Sequence, residues 1–129
     1  MIKAYMASFS TLYEGEDIEV RYSLIQDDQV IKEESVYLEY MKPAVVGVNA
    51  LLILLRKLEA YKQETIVITS NDGALNEIIR GTNTTQNGEV LKLTGKIKKE
   101  LSKFQRVSFV NVTNKDRAEL AEWKEVLGI

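Results

Sequence analysis

The sequence predicts an α/β fold, a five-stranded mixed sheet with three antiparallel strands followed by parallel ones, flanked by helices. Three observations carry this. Thr65-Ile66-Val67-Ile68-Thr69 is β-branched throughout, so χ1 is stiff and the run suits a strand. Its apolar centre does not alternate, which predicts a strand buried on both faces. Before it lie three strand-like stretches with short polar connections, the pattern of an antiparallel meander. Around and after it helical and strand patterns alternate, which predicts crossovers and parallel pairing.

In chain order, Ile2 to Leu12 reads as the first strand. Asp17 to Ile25 is the second, with Ile18, Val20, Tyr22 and Leu24 on one face and Glu19, Arg21 and Ser23 on the other. A polar turn, Gln26-Asp27-Asp28-Gln29, leads to a third strand, Val30 to Tyr40. Pro43, the only proline, stands where a helix should begin, at a position that needs no N–H donor. That helix runs to about Tyr61, and its first turns are apolar almost all round. Such a helix is buried on more than one side. It either lies between the sheet and other helices or forms a homodimer interface through residues 44–55. After the central strand, Ser70-Asn71-Asp72-Gly73 signals a turn, and a short helix, Ala74 to Arg80, closes on Gly81 as a C-cap. A polar loop over Gly81 to Glu89 precedes a basic helix from about Thr94 to Phe104. Leu93, Ile97, Leu101 and Phe104 form its apolar stripe, and Lys96, Lys98, Lys99 and Lys103 face outward. Arg106 to Val112 is the fifth strand. Thr113-Asn114-Lys115-Asp116 can cap a last helix that ends at Gly128.

The length of 129 residues suits a single domain, 1–129, with one sizeable core. The chain has no cysteine and no histidine, which excludes disulfides, thiol nucleophiles and the commonest general base and metal ligand. Any metal would rest on carboxylates and carbonyls, as Mg²⁺ does. A net charge of −2 opposes strong non-specific binding to nucleic acid. The apolar run 44–55 is too short to span a bilayer, and Met1 leads directly into a strand pattern, so a cytoplasmic protein without membrane contact is expected. Ligands of open α/β sheets sit beyond the carboxyl ends of strands, which directs attention to Asn71 and Asp72. Asp72, before a glycine, suits a turn or helix cap more readily than a metal site.

The order of elements resembles the ribonuclease H-like family over the whole chain. Ala50-Leu51-Leu52 and Leu55 are similar to the residues that follow the catalytic Glu in the family's first helix, and Ile78-Ile79-Arg80-Gly81 to the end of its second. Phe104 to Val112 resembles its last strand with its lead-in. Asn114 with Arg117-Ala118-Glu119-Leu120-Ala121 is similar to the motif that opens its last helix. The resemblance implies four carboxylates that hold two Mg²⁺ ions to cut RNA in RNA/DNA hybrids, chemistry in which the ions activate a water and stabilise the leaving oxygen. The four positions fall at Ala7, Gly47, Asn71 and Ala118, and none is acidic.

The resemblance therefore implies a non-catalytic domain that needs no cofactor and acts by binding nucleic acid or a protein. Lys96, Lys98, Lys99 and Lys103 are its candidate phosphate contacts. The alternative is an active Mg²⁺-dependent ribonuclease H with displaced ligands, Asp72 replacing Asn71 and Asp116 or Glu119 replacing Ala118. A shift of one residue along the last helix turns a side chain by about 100°. No acid stands near Ala7 or between Pro43 and Leu58, so at most half a site would survive.

Overall fold

Apolar residues alternating at the strand period build the first half of the sheet. β1 (Ile2–Phe9), β2 (Ile18–Gln26) and β3 (Gln29–Leu38) form the expected antiparallel meander. On β2, Ile18, Val20, Tyr22 and Leu24 are all buried in the main core. Asp27 and Asp28 both take positive φ, 53° and 61°, as a two-residue hairpin that matches the strand twist requires. The computed structural model describes residues 1–9, 17–80, 87–112 and 116–129, with the backbone alone for Pro43, Ala74, Asn76, Ile79 and Arg80. The expected end of the first strand at Leu12, the Gly81 cap, most of the 81–89 loop and the Thr113-Asn114-Lys115 cap lie outside the described residues.

α1 (Pro43–Leu58) opens with its proline at the helix start and continues into a 3₁₀ turn, Glu59–Tyr61. β4 (Thr65–Ser70), α2 (Gly73–Arg80), α3 (Gly88–Leu101), β5 (Arg106–Asn111) and α4 (Arg117–Leu127) follow. The sheet order is β3-β2-β1-β4-β5, with β4 parallel to both β1 and β5. This is the mixed five-stranded sheet expected, with β4 inside it between β1 and β5.

The two faces of the sheet are covered unequally. Ile2, Ala4, Met6, Ile66 and Ile68 meet α1, and α3 packs behind α1. The apolar girth of α1 is therefore spent inside the chain: Val45, Val46, Val48, Leu51, Leu52, Leu54 and Leu55 are all buried in this core. A homodimer through residues 44–55 finds no support here, because the sheet and α3 cover most of that surface. On the other face α4 packs mainly on β1 and β2. Here the expectation for β4 is overturned. Ile66 and Ile68 are buried, but Thr65, Val67 and Thr69 on the opposite side are only half-buried. The uninterrupted apolar run reflects β-branched preference, not cover on both sides.

α3 also begins six residues before the expected Thr94. Asn87 starts it, its Oδ1 accepting from the N–H groups of Glu89 and Val90 at 3.0 and 3.2 Å. Two helical glycines, Gly88 and Gly95, hide this start by lowering the local helix propensity.

Candidate functional site

The region beyond the carboxyl ends of β1 and β4 is assembled by the parallel pairing. Tyr5 lies beside Thr69, so two residues on, Ala7 inside β1 and Asn71 just past β4 come level. Ala7 is buried among Tyr5, Val112, Trp123 and Leu127. The indole Nε1 of Trp123 donates to the Met6 carbonyl at 3.0 Å, which holds α4 across this strand. Asn71 is exposed, and so are Ala118, Asp116 and Glu119 at the start of α4.

Gly47 and Asp72 meet, although they stand 25 positions apart in the chain. A Cβ built on Gly47 would collide with the Oδ2 of Asp72 and reach Leu75 Cδ2 at 3.7 Å. The carboxylate of Asp72 thus lies against bare helix backbone, in the space a side chain at position 47 would enter. The Asp72 amide donates to Ser70 Oγ at 3.4 Å, and its carbonyl accepts from the Leu75 N–H at 3.3 Å in the turn that opens α2. Gly73 in that turn lies close to Asn111 of β5: a Cβ there would come within 3.2 Å of Asn111 Nδ2. The Asp72–Gly47 contact was not foreseen from the sequence. Its signal was a glycine within a strongly apolar helix, a substitution that costs about 1 kcal/mol relative to alanine and marks a close approach.

Of the displaced-ligand set, Asp72 therefore reaches the first helix, whereas Asp116 and Glu119 sit on the surface of α4. Among the described residues no group of three or more Asp, Glu, His or Cys side chains is arranged to hold a metal ion. Ala7 and Gly47 offer no side-chain donor atom, so a two-metal carboxylate clamp does not fit these positions.

The basic helix is reordered by its geometry. Lys92, Lys96 and Lys99 recur at i, i+4 and i+7, one face of α3, and Lys103 continues the row just past its end. Lys98 falls off this row, and Lys92, not singled out from the sequence, falls on it. All five are exposed. The opposite side of α3 buries Val90 and Ile97. Lys92 and Lys96 also flank a groove of about 300 Å³ between α1 and α3, lined by Met41, Val45 and Leu93. Lys103 pairs with Glu100 at 3.1 Å and Glu59 at 3.5 Å, and the Glu100 carboxylate holds its ammonium above the usual lysine range.

On the α4 side the Tyr5 hydroxyl donates to Glu122 Oε1 at 3.1 Å. Burial first, and the Glu122 charge second, push the Tyr5 phenol up to about 12, so it remains a donor at any physiological pH.

This architecture is the ribonuclease H-like fold. The chain is similar in structure to RNase H1 from the halophilic archaeon Halobacterium salinarum NRC-1, with a TM-score of 0.77 at 14% identity over 91% of this chain and 89% of that one. It is similar to the N-terminal RNase H domain of a Mycobacterium tuberculosis protein, with a TM-score of 0.75 at 13% identity over 91% and 90% of the two chains. It also matches LC11-RNase H1 in complex with an RNA/DNA hybrid, with a TM-score of 0.77 at 14% identity over 99% and 97%. No protein-family model matches the chain, and no curated protein matches it in sequence. Among the described residues no helix is long and apolar enough to cross a membrane.

Proposed function

We propose that this chain is a non-catalytic ribonuclease H-like domain that binds nucleic acid without cutting it. The observation that carries the reading is the state of the cleft at α1. Gly47 stands where the resemblance puts the first helix's Glu, and the Asp72 carboxylate takes the adjoining space. A glutamate there would meet a like charge within contact distance, which disfavours ionisation of both. With Ala7 buried among apolar residues, the cleft keeps its shape and loses the charge that two metals would require. The row Lys92, Lys96, Lys99 and Lys103 supports a phosphate-binding face, and the hybrid bound to LC11-RNase H1 makes an RNA/DNA duplex the first ligand to try.

The test uses the whole chain with a labelled RNA/DNA hybrid, Mg²⁺ or Mn²⁺. Binding with the RNA left intact is the expected result. Cleavage that disappears in Asp72→Asn would overturn the reading in favour of displaced ligands.

A further inference from the structure

On the α4 side of the sheet, a groove of about 180 Å³ runs between α4 and the half of the sheet that α4 leaves uncovered. Val67 and Thr69 of β4, with Val110 of β5 and Val112 just after it, form its floor. Glu119 and Glu122 of α4 line one side. Neither makes an ion pair among the described residues, and the buried Tyr5 hydroxyl holds Glu122 in place. Among the described residues Lys3 of β1 is the one cation on the lining, so these residues set two carboxylates against one ammonium.

β5 is the adjoining edge of the sheet, and among the described residues its outward backbone groups have no partner strand. The two edges differ. β3 carries Lys32-Glu33-Glu34 in its middle and pairs through a register shift at Leu24/Ile25, both devices that discourage further pairing. β5, Arg106-Val-Ser-Phe-Val-Asn111, has no proline and no charge after its first residue. An edge of that kind is a template for an added strand.

We propose that β5 and this groove form a docking site for an extended segment of a partner protein that carries a lysine or arginine. The segment adds to the sheet at β5 and places a basic side chain over Val110 toward Glu119 and Glu122. Three features choose this occupant. The groove is smaller than the roughly 300–1,000 Å³ of small-molecule sites, so it suits one long side chain. Strands in a sheet lie about 4.8 Å apart, so a long side chain on a new strand reaches over β5 into the groove. Paired carboxylates repel phosphates and attract ammonium or guanidinium groups, which sets this face apart from the lysine row of α3.

Panning a displayed library of random linear peptides against the full chain tests the proposal. Peptides with alternating β-branched residues and a lysine or arginine should be enriched. Their binding should weaken at least about tenfold in Glu119→Lys/Glu122→Lys, with an unchanged circular dichroism spectrum as the control for an intact fold. Amide exchange should slow along β5 in the bound state. No enrichment, enrichment of peptides without basic residues, equal binding to the double variant, or protection along β3 would each overturn the proposal. A dimer in sedimentation equilibrium that the double variant dissolves would assign the edge to a second copy and overturn it as well.

Discussion

Gly47 shows how one missing side chain sets the chemistry of its neighbour. Because no Cβ stands there, the Asp72 carboxylate rests on α1. Gly47→Ala improves helix propensity by about 1 kcal/mol but forces Asp72 or the helix to move, an overpacking cost of typically 1–3 kcal/mol. The single variant should therefore be neutral to destabilised in urea unfolding. Gly47→Ala combined with Asp72→Ala should be more stable than the two separate effects sum to, because residues in contact couple. Additive effects would show that the contact carries no energy. A second residue-scale expectation concerns Tyr5. Its phenol is raised from 10.0 to about 12 in the fold, so between those pH values the unfolded chain loses a proton that the folded chain keeps. Stability is fully present below pH 10 and falls as pH rises toward 12. Melting temperatures measured across that window should fall less steeply in Tyr5→Phe than in the parent chain. Tyr22, also raised by burial, adds a slope of the same sign that remains in the variant.

At the scale of elements, α4 is tied to the sheet at both ends of its buried face. Trp123 bonds the Met6 carbonyl, and Arg21 donates from Nη1 to the carbonyls of Leu127 and Gly128 at 3.2 and 3.0 Å. A cation at these carbonyls meets the negative end of the helix dipole. Glu19 holds the same guanidinium at 2.6 Å, so β2 presents Arg21 to the helix end in one orientation. Arg21→Ala should accelerate amide exchange in the last turns of α4 while β1 and β4 keep their protection. Uniform acceleration would mean that α4 unfolds only with the whole domain. Trp123→Ala should cost about 3–5 kcal/mol, as expected for emptying a large buried site, and Trp123→Phe less. These ties explain what the sequence left illegible. The strands and the crossover order follow from period-two patterns and β-branched runs that hold whatever the tertiary partners. The cover on β4 depends on where α4 lies, and the start of α3 depends on an asparagine cap followed by a glycine that reads as loop. The pair Gly47–Asp72 is a contact between α1 and the turn after β4, and no local period reports it.

At the scale of the molecule, the proposed binding rests on how charge is distributed, since the net charge is only −2. The lysine row lies on α3, behind α1 and on one side of the sheet, whereas Glu119 and Glu122 lie on α4 on the other. Net charge therefore understates the attraction for a duplex laid against α3, because screening limits interactions to about 8–10 Å at physiological salt and the acids of α4 contribute little there. Binding of a hybrid should fall steeply as salt rises, by about 0.9 in the logarithm for each neutralised phosphate on B-form DNA, so the four lysines of the row set an upper slope of roughly 4. Geometry separates two sets of variants. Changing Lys92, Lys96, Lys99 and Lys103 to glutamate reverses one continuous face, and should abolish binding at low salt. Changing Lys98 alone alters a residue off that face, and should leave the affinity within about a factor of three, the size of an ordinary exposed-charge effect. The lysines stand clear of the buried Val90 and Ile97, so circular dichroism should be unchanged in both sets. If Lys98→Glu weakens binding as much as the whole row does, the duplex does not lie along this face of α3. If the quadruple variant binds like the parent, the phosphate-binding surface lies elsewhere on the fold.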